Sequence, residues 1–197
     1  SQIYIDKSIN HLYNFEFDSS LIYLDIAENI DIKHPLIPFL RTSALWLKVQ
    51  TEVGFEESYN QIKKSIDLSM PFYKKNIELY PSNPEYYLYL GSLYGLLSRI
   101  ELAYGHWFKV LFPTMKGYYY VSKAHEIEPF LYDVYTPMGM SSYYACMSEG
   151  FIKFCSKVIG IEMDCELSIE YLETASDKSY YSWIEANNIL AYIYIYR

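Results

Sequence analysis

Shifting the chain against itself by 48 residues brings three stretches into register. Pro81 is followed by Tyr87 and Gly91, and Pro129 is followed at the same offsets by Tyr135 and Gly139. One further shift places Asp177 at the turn position and Trp183 at the aromatic one, while Pro35 lies 46 residues before Pro81. A repeat of this period, carried by apolar helical stretches, buries its hydrophobic face only against its neighbours. The expectation is an all-α fold, a right-handed α–α superhelix (solenoid) of helical hairpins. It would form one domain over residues 1–197, with units at about 1–35, 36–81, 82–129 and 130–177 and a partial unit at 178–197. The apolar pattern at Tyr194-Ile195-Tyr196-Arg197 has no cap, so the array is expected to continue past Arg197.

Composition narrows the function classes. Hydrophobic residues make up 51% and charged residues 20%, which is globular rather than disordered. The 24 tyrosines are the outlying figure. Tyrosine fills helix–helix seams while keeping its hydroxyl at a polar edge, and the same residues could line a groove. A net charge of −8 argues against nucleic acid, which needs a basic stripe to release counterions. Lys63, Lys64, Lys74 and Lys75 read as a solvated helix face. No apolar run is long enough to span a bilayer. Cys146, Cys155 and Cys165 show neither zinc spacing nor a disulfide framework and read as buried free thiols. Free thiols mildly favour a reducing compartment, but localisation stays open between the cytoplasm and, if a signal peptide has been removed, the periplasm.

Helices are expected over residues 3–14, from Asp18-Ser19-Ser20 as cap to Asp31, and from Pro38 to Val53. In the second of these Ile22, Ile26 and Ile30 form the inward stripe, and in the third Leu40, Ala44, Leu47 and Val49. Phe55 to Leu79 reads as a long helix interrupted at Pro71, either kinked or restarted there. Pro81-Ser82-Asn83-Pro84-Glu85 opens the next helix, and its partner runs from about His106 to Glu128, interrupted at Pro113. Gly91 costs about 1 kcal/mol inside a helix, which implies a neighbouring helix too close for a side chain. Gly117 and Ala124, two turns apart, supply small contacts on the partner. Trp107 is placed to pack where the two helices meet. The stretch between Gly150 and Gly160 connects the fourth unit's halves, and residues 166–175 and 180–196 form the last pair.

The run from Pro81 to Tyr94 resembles the opening of a tetratricopeptide repeat: Tyr87, then Leu90-Gly91, then Tyr94. Gly117, Ala124 and Pro129 match the second-helix signature of two small residues and a proline. The fourth unit keeps Tyr135 and Gly139 with Ser142 where an aromatic belongs, and the last keeps Trp183 while Ala186-Asn187 replaces Leu-Gly. The usual repeat has about 34 residues, so this chain looks like an elongated-hairpin bacterial branch of that family. The resemblance covers most of 55–197 and, more weakly, 1–54.

The four histidines, His11, His34, His106 and His125, do not pair at helical zinc spacing, and the eight glycines form no phosphate loop. No metal, cofactor or catalytic residue is therefore assigned, and the chain is expected not to be an enzyme. Cys146 with a distant histidine is the one nucleophile considered. What the resemblance implies is a protein–protein interaction scaffold whose first helices line a concave groove for a partner peptide. Carried over unit by unit, the groove positions are Glu85, Tyr89 and Ser92; Asp133, Thr136, Met140, Tyr143 and Tyr144; and Tyr181, Asn188 and Tyr192. An aromatic surface with two acids suits a peptide carrying Lys or Arg among apolar anchors. The alternative is a small-molecule or lipid carrier with an apolar pocket between helices opened at Pro71, Pro113 and Pro137. Self-association through the open C-terminal end is a third reading.

Overall fold

The computed structural model describes residues 1–52 and 54–196, the Phe55 side chain excepted. Val53, expected to close the third helix, and Arg197 lie outside the described residues. Among these the chain is all-α, with ten α-helices, one short 3-10 turn and no strand. It divides into two compact units, Ser1–Tyr80 and Pro81–Arg197.

In the first unit α1 (Gln2–Tyr13), α2 (Phe17–Ile30), α3 (Leu36–Glu52) and α4 (Phe55–Leu79) pack in chain order, each on the next. Ile5, Leu24, Ala27, Leu36, Ile37, Ala44, Ile66 and Tyr73 form the core. Polar groups trapped there are paired: Ser8 meets Ser20 at 2.9 Å, and the Tyr73 hydroxyl donates to the Pro35 carbonyl at 2.7 Å. The buried face of α2 is not the expected one. Ile22 is 60% exposed and Ile30 57%, whereas Phe17, Ser20, Leu24 and Ala27 are buried. A strict four-residue step drifts about 40° around a helix each time, while alternating threes and fours stay on one side. Its start also differs, with Glu16 at the N-cap and Asp18 in the first turn. On α3 the inward residues include Leu40, Ala44 and Val49, while Leu47 is half-buried.

Two helices stop by the same device. At the end of α1 the Glu16 amide donates to the His11 carbonyl and the Phe15 amide to Leu12, with Phe15 at φ 61°. At the end of α5 (Pro84–Ala103) the His106 amide donates to Glu101 and the Gly105 amide to Leu102, with Gly105 at φ 70°. This is the Schellman arrangement, in which a left-handed residue satisfies the last free carbonyls. In both, the side chains three before the cap and two after it pair: His11 with Glu16, and Glu101 with His106.

The second unit holds α5, α6 (Trp107–Ile127), a 3-10 turn at Tyr132–Val134, α7 (Tyr135–Met147), α8 (Gly150–Ile159), α9 (Cys165–Lys178) and α10 (Trp183–Tyr196). Asn83 caps α5 by accepting the Glu85 amide at 3.0 Å, and Pro84 sits where no helical hydrogen bond is lost. Gly91 does what its position implied. A Cβ there would lie 2.9 Å from the Gly117 carbonyl oxygen and 2.7 Å from a Val121 methyl, so α5 and α6 cross nearly backbone to backbone. Gly139 repeats this against α9, where a Cβ would lie 2.9 Å from the Ser168 carbonyl oxygen. Neither Pro71 nor Pro113 interrupts its helix, and Pro137 falls in the first turn of α7. An interior proline removes one backbone hydrogen bond. Met70 and Tyr73, buried on either side of Pro71, and Pro113, itself buried, show the packing that holds each helix together.

Helix α9 packs on both α7 and α10. Between α7 and α9 the chain makes an excursion that carries α8, and the ends of the excursion are joined by a Cys146–Cys165 disulfide with Cα atoms 5.6 Å apart. The expected free thiols are thus corrected for two of the three, and Cys146 is no nucleophile. Cys155, on α8, remains a free half-buried thiol. Spacing alone could not show this pairing, because a helix that leaves and returns brings distant residues within bridging distance.

Candidate functional site

The groove positions come from α5, the turn and helix that begin at Tyr132, and α10 with Tyr181 in the bend just before it. Glu85 stands in the first turn of α5, half-buried. Burial, and then the Asp133 carboxylate close by, push its carboxyl above the usual carboxylate range. Among the described residues no cation pairs with it.

Asp133 is buried, and its oxygens are taken by backbone. They accept the amides of Tyr180 at 3.2 Å, Tyr181 at 2.8 Å and Ser182 at 2.7 Å. The Ser182 hydroxyl in turn meets that of Thr136, also buried, at 2.8 Å. Asp133, Thr136 and Tyr181 therefore belong to one knot that ties the start of α7 to the start of α10, with Glu85 in electrostatic reach. Carboxylates at a helix start are favoured because the first amides there lack partners.

The other groove positions divide by exposure. Tyr89 is buried, and Ser92 is half-buried with its hydroxyl donated to the Leu88 carbonyl at 2.9 Å. Met140 is half-buried. Tyr143 packs on the cluster of Ile169, Leu172, Leu190 and Ile193. The half-buried Tyr181 ring stands edge-on to Tyr180, centroids 4.7 Å apart. Tyr144, Asn188 and Tyr192 are at the surface, Tyr192 beside Tyr196.

Many of the tyrosines fill seams. Tyr94 stacks on Tyr120 at 5.9 Å between α5 and α6, and burial with neighbouring tyrosines raises the Tyr120 hydroxyl above its ordinary pKa. Tyr135 contacts His125 at 5.3 Å and Tyr171 at 5.5 Å, joining α6, α7 and α9. Among the described residues no three His, Cys, Asp or Glu side chains gather as a metal site. No helix among them is long and apolar enough to cross a membrane.

Sequence reasoning missed one surface. Trp107, expected between two helices, is 54% exposed. Phe108, Phe112, Met115 and Tyr119 are exposed as well. Their spacing is that of one helix face, a signal present in the sequence, where only Gly117, Ala124 and Trp107 are assigned a role on this helix. An open hollow of about 350 Å³ lies beside this face, lined by Met115, Tyr119 and Lys123 of α6 and by Ile159 of α8. The molecule is, in class, an all-helical protein of packed neighbouring helices. Comparison with protein-family models and with curated proteins finds no match to this chain.

Proposed function

We propose that the chain is a tetratricopeptide-like repeat scaffold, a right-handed array of helical hairpins without enzymatic activity, that binds a cationic segment of a partner protein. The repeat reading draws on the glycine crossings at Gly91 and Gly139, which recur at the period of the motifs. The single observation that carries the binding reading is Glu85: a half-buried carboxylate beside a second carboxylate, with no cation paired to it among the described residues. A Lys or Arg side chain brought there offsets both the desolvation and the repulsion. Tyr181, Met140 and Tyr143 offer apolar and aromatic surface for flanking anchors. Asp133 acts from within, shaping the field at Glu85 while holding α10. The Cys146–Cys165 bridge supports an oxidising compartment as the place of work.

Fluorescence anisotropy tests this with a labelled peptide panel in which Lys, Arg, Gln or Glu is set among Leu, Phe and Tyr. Lys and Arg members bind and Glu members do not. Glu85→Gln weakens binding by about thirtyfold or more, the order seen when one partner of a partly desolvated ion pair is removed. Binding of the parent also weakens as pH falls through the raised Glu85 pKa, since protonation removes the charge. Affinity indifferent to both Glu85→Gln and the peptide's charge sinks the reading.

A further inference from the structure

The apolar face on α6 continues onto α8, and the two together carry a charge pattern opposite to that of the whole chain. Phe108, Phe112, Met115 and Tyr119 recur along the outer side of α6, with Phe108 81% exposed. Lys109, Lys116 and Lys123 run beside them at seven-residue intervals, which places them along one edge of that stripe. The Lys116 ammonium lies over the Phe112 ring, 5.9 Å from its centroid.

On α8 the same arrangement is repeated in ten residues. Phe151, Phe154 and Val158 share one side and are exposed, the last two at 64% and 70%. Lys153 and Lys157 lie one turn apart on α8, Lys157 the nearer to that side. Of this helix only Ser156 is buried. The two stripes meet where the Phe108 and Phe151 rings stand 5.6 Å apart. Between Trp107 and His125, and between Gly150 and Ile161, there is no acidic residue, although the chain as a whole carries −8. Glu126, at the far end of α6, is already paired with Lys123 at 2.8 Å.

We infer that this α6–α8 face is a peripheral docking surface for an anionic lipid bilayer. Aromatic rings at the surface settle at the headgroup boundary, and lysines along the stripe reach back to lipid phosphates with their stems on the apolar layer. The charge pattern selects this occupant over a second copy of the chain, because two such faces brought together oppose five lysines with five lysines. The inference is independent of the Glu85 site, which lies at the opposite end of α5 from its turn into α6.

Vesicle flotation with the full chain is the test. Vesicles of phosphatidylcholine alone are compared with vesicles of equal parts phosphatidylcholine and phosphatidylglycerol. The parent floats with the anionic vesicles, stays behind with the neutral ones, and is released by high salt. Lys153→Gln with Lys157→Gln reduces partitioning by about thirtyfold, since each surface lysine adds about fivefold. Phe151→Ser with Phe154→Ser abolishes it, with circular dichroism unchanged because both residues are exposed. Equal flotation with both vesicle types, or none with either, overturns the inference. So does light scattering that shows a dimer converted to monomer by the Phe151 and Phe154 pair, which would make the face an interface between copies.

Discussion

Asp133 separates a structural role from a ligand-binding one, and substitution there has a predictable size. Three backbone amides converge on its carboxylate, two at 2.7 and 2.8 Å on one oxygen and the third at 3.2 Å on the other. Bonds to a charged acceptor contribute about 1.5–3 kcal/mol each. They do not add fully, because truncation lets water reach some of the amides, so Asp133→Ala is expected to cost about 3–5 kcal/mol. Asp133→Asn is milder. Its single oxygen serves Tyr181 and Ser182, while its amide faces the Tyr180 N–H, donor against donor, for a loss of about 1–2 kcal/mol. One effect runs the other way. Removing the Asp133 charge lowers the raised Glu85 pKa, which relieves the folded state above the ordinary carboxylate range, where the folded protein binds the proton more tightly than the unfolded chain. For a chain of this length about 2–4 °C of melting temperature corresponds to each kcal/mol, so the Ala variant melts roughly 6–20 °C lower and the Asn variant roughly 2–8 °C lower. Thermal denaturation followed by circular dichroism reads this, with hydrogen exchange at Tyr180 to Ser182 as the local report. An Ala variant that melts with the parent and keeps those amides protected refutes the reasoning, and returns Asp133 to the ligand.

Two further predictions concern the second unit. Gly91→Ala drives a methyl into the Gly117 carbonyl and the Val121 amide, both backbone and unable to yield, so overpacking outweighs the gain in helix propensity for a net loss of about 1–3 kcal/mol. Gly95→Ala, one turn on with nothing within 4 Å of the new methyl, gains about 0.5–1 kcal/mol instead; urea midpoints moving in the same direction for both would dismiss the crossing. Reducing Cys146–Cys165 opens a loop of 19 residues and costs about 3 kcal/mol by chain entropy. A peptide map run without reductant should show those two linked and Cys155 alone alkylated, and a link through Cys155 would reject the assignment.

The helices were legible where pattern and chain chemistry agree. Asn83-Pro84 starts α5 as a cap and first-turn proline should, and Gly91 implied a close crossing that the backbone makes against Gly117. The misreadings have physical causes. The Ile22, Ile26, Ile30 row is the more hydrophobic choice on α2, yet its drift around the axis leaves Ser20 and Ala27 among the buried residues instead, Ser20 against Ser8 of α1. Proline at 71 and 113 signals a local loss of one hydrogen bond, and only packing, invisible in the sequence, decides whether the helix continues. At the site, Glu85 and Asp133 were found as acids. Their division of labour was not, since it depends on where residues 180–182 return.

The period itself concealed one fact of consequence. The stretches that begin at Pro81 and Pro129 share a spacing of 48 residues between their glycine crossings, Gly91 and Gly139, but they use that length differently. In the first it forms two long helices, of 20 and 21 residues. In the second the paired helices are short, 13 and 14 residues, and the remainder becomes α8 on a loop stapled by Cys146 and Cys165. The outer end of the long hairpin carries Trp107, Phe108 and Phe112, and the stapled loop carries Phe151, Phe154 and Val158. Phe108 and Phe151 bring the two together. The end of α6 and the stapled helix α8 thus converge on one exposed, apolar face that carries lysines. Length used only to enlarge the core would have placed small and aliphatic residues there, and buried them.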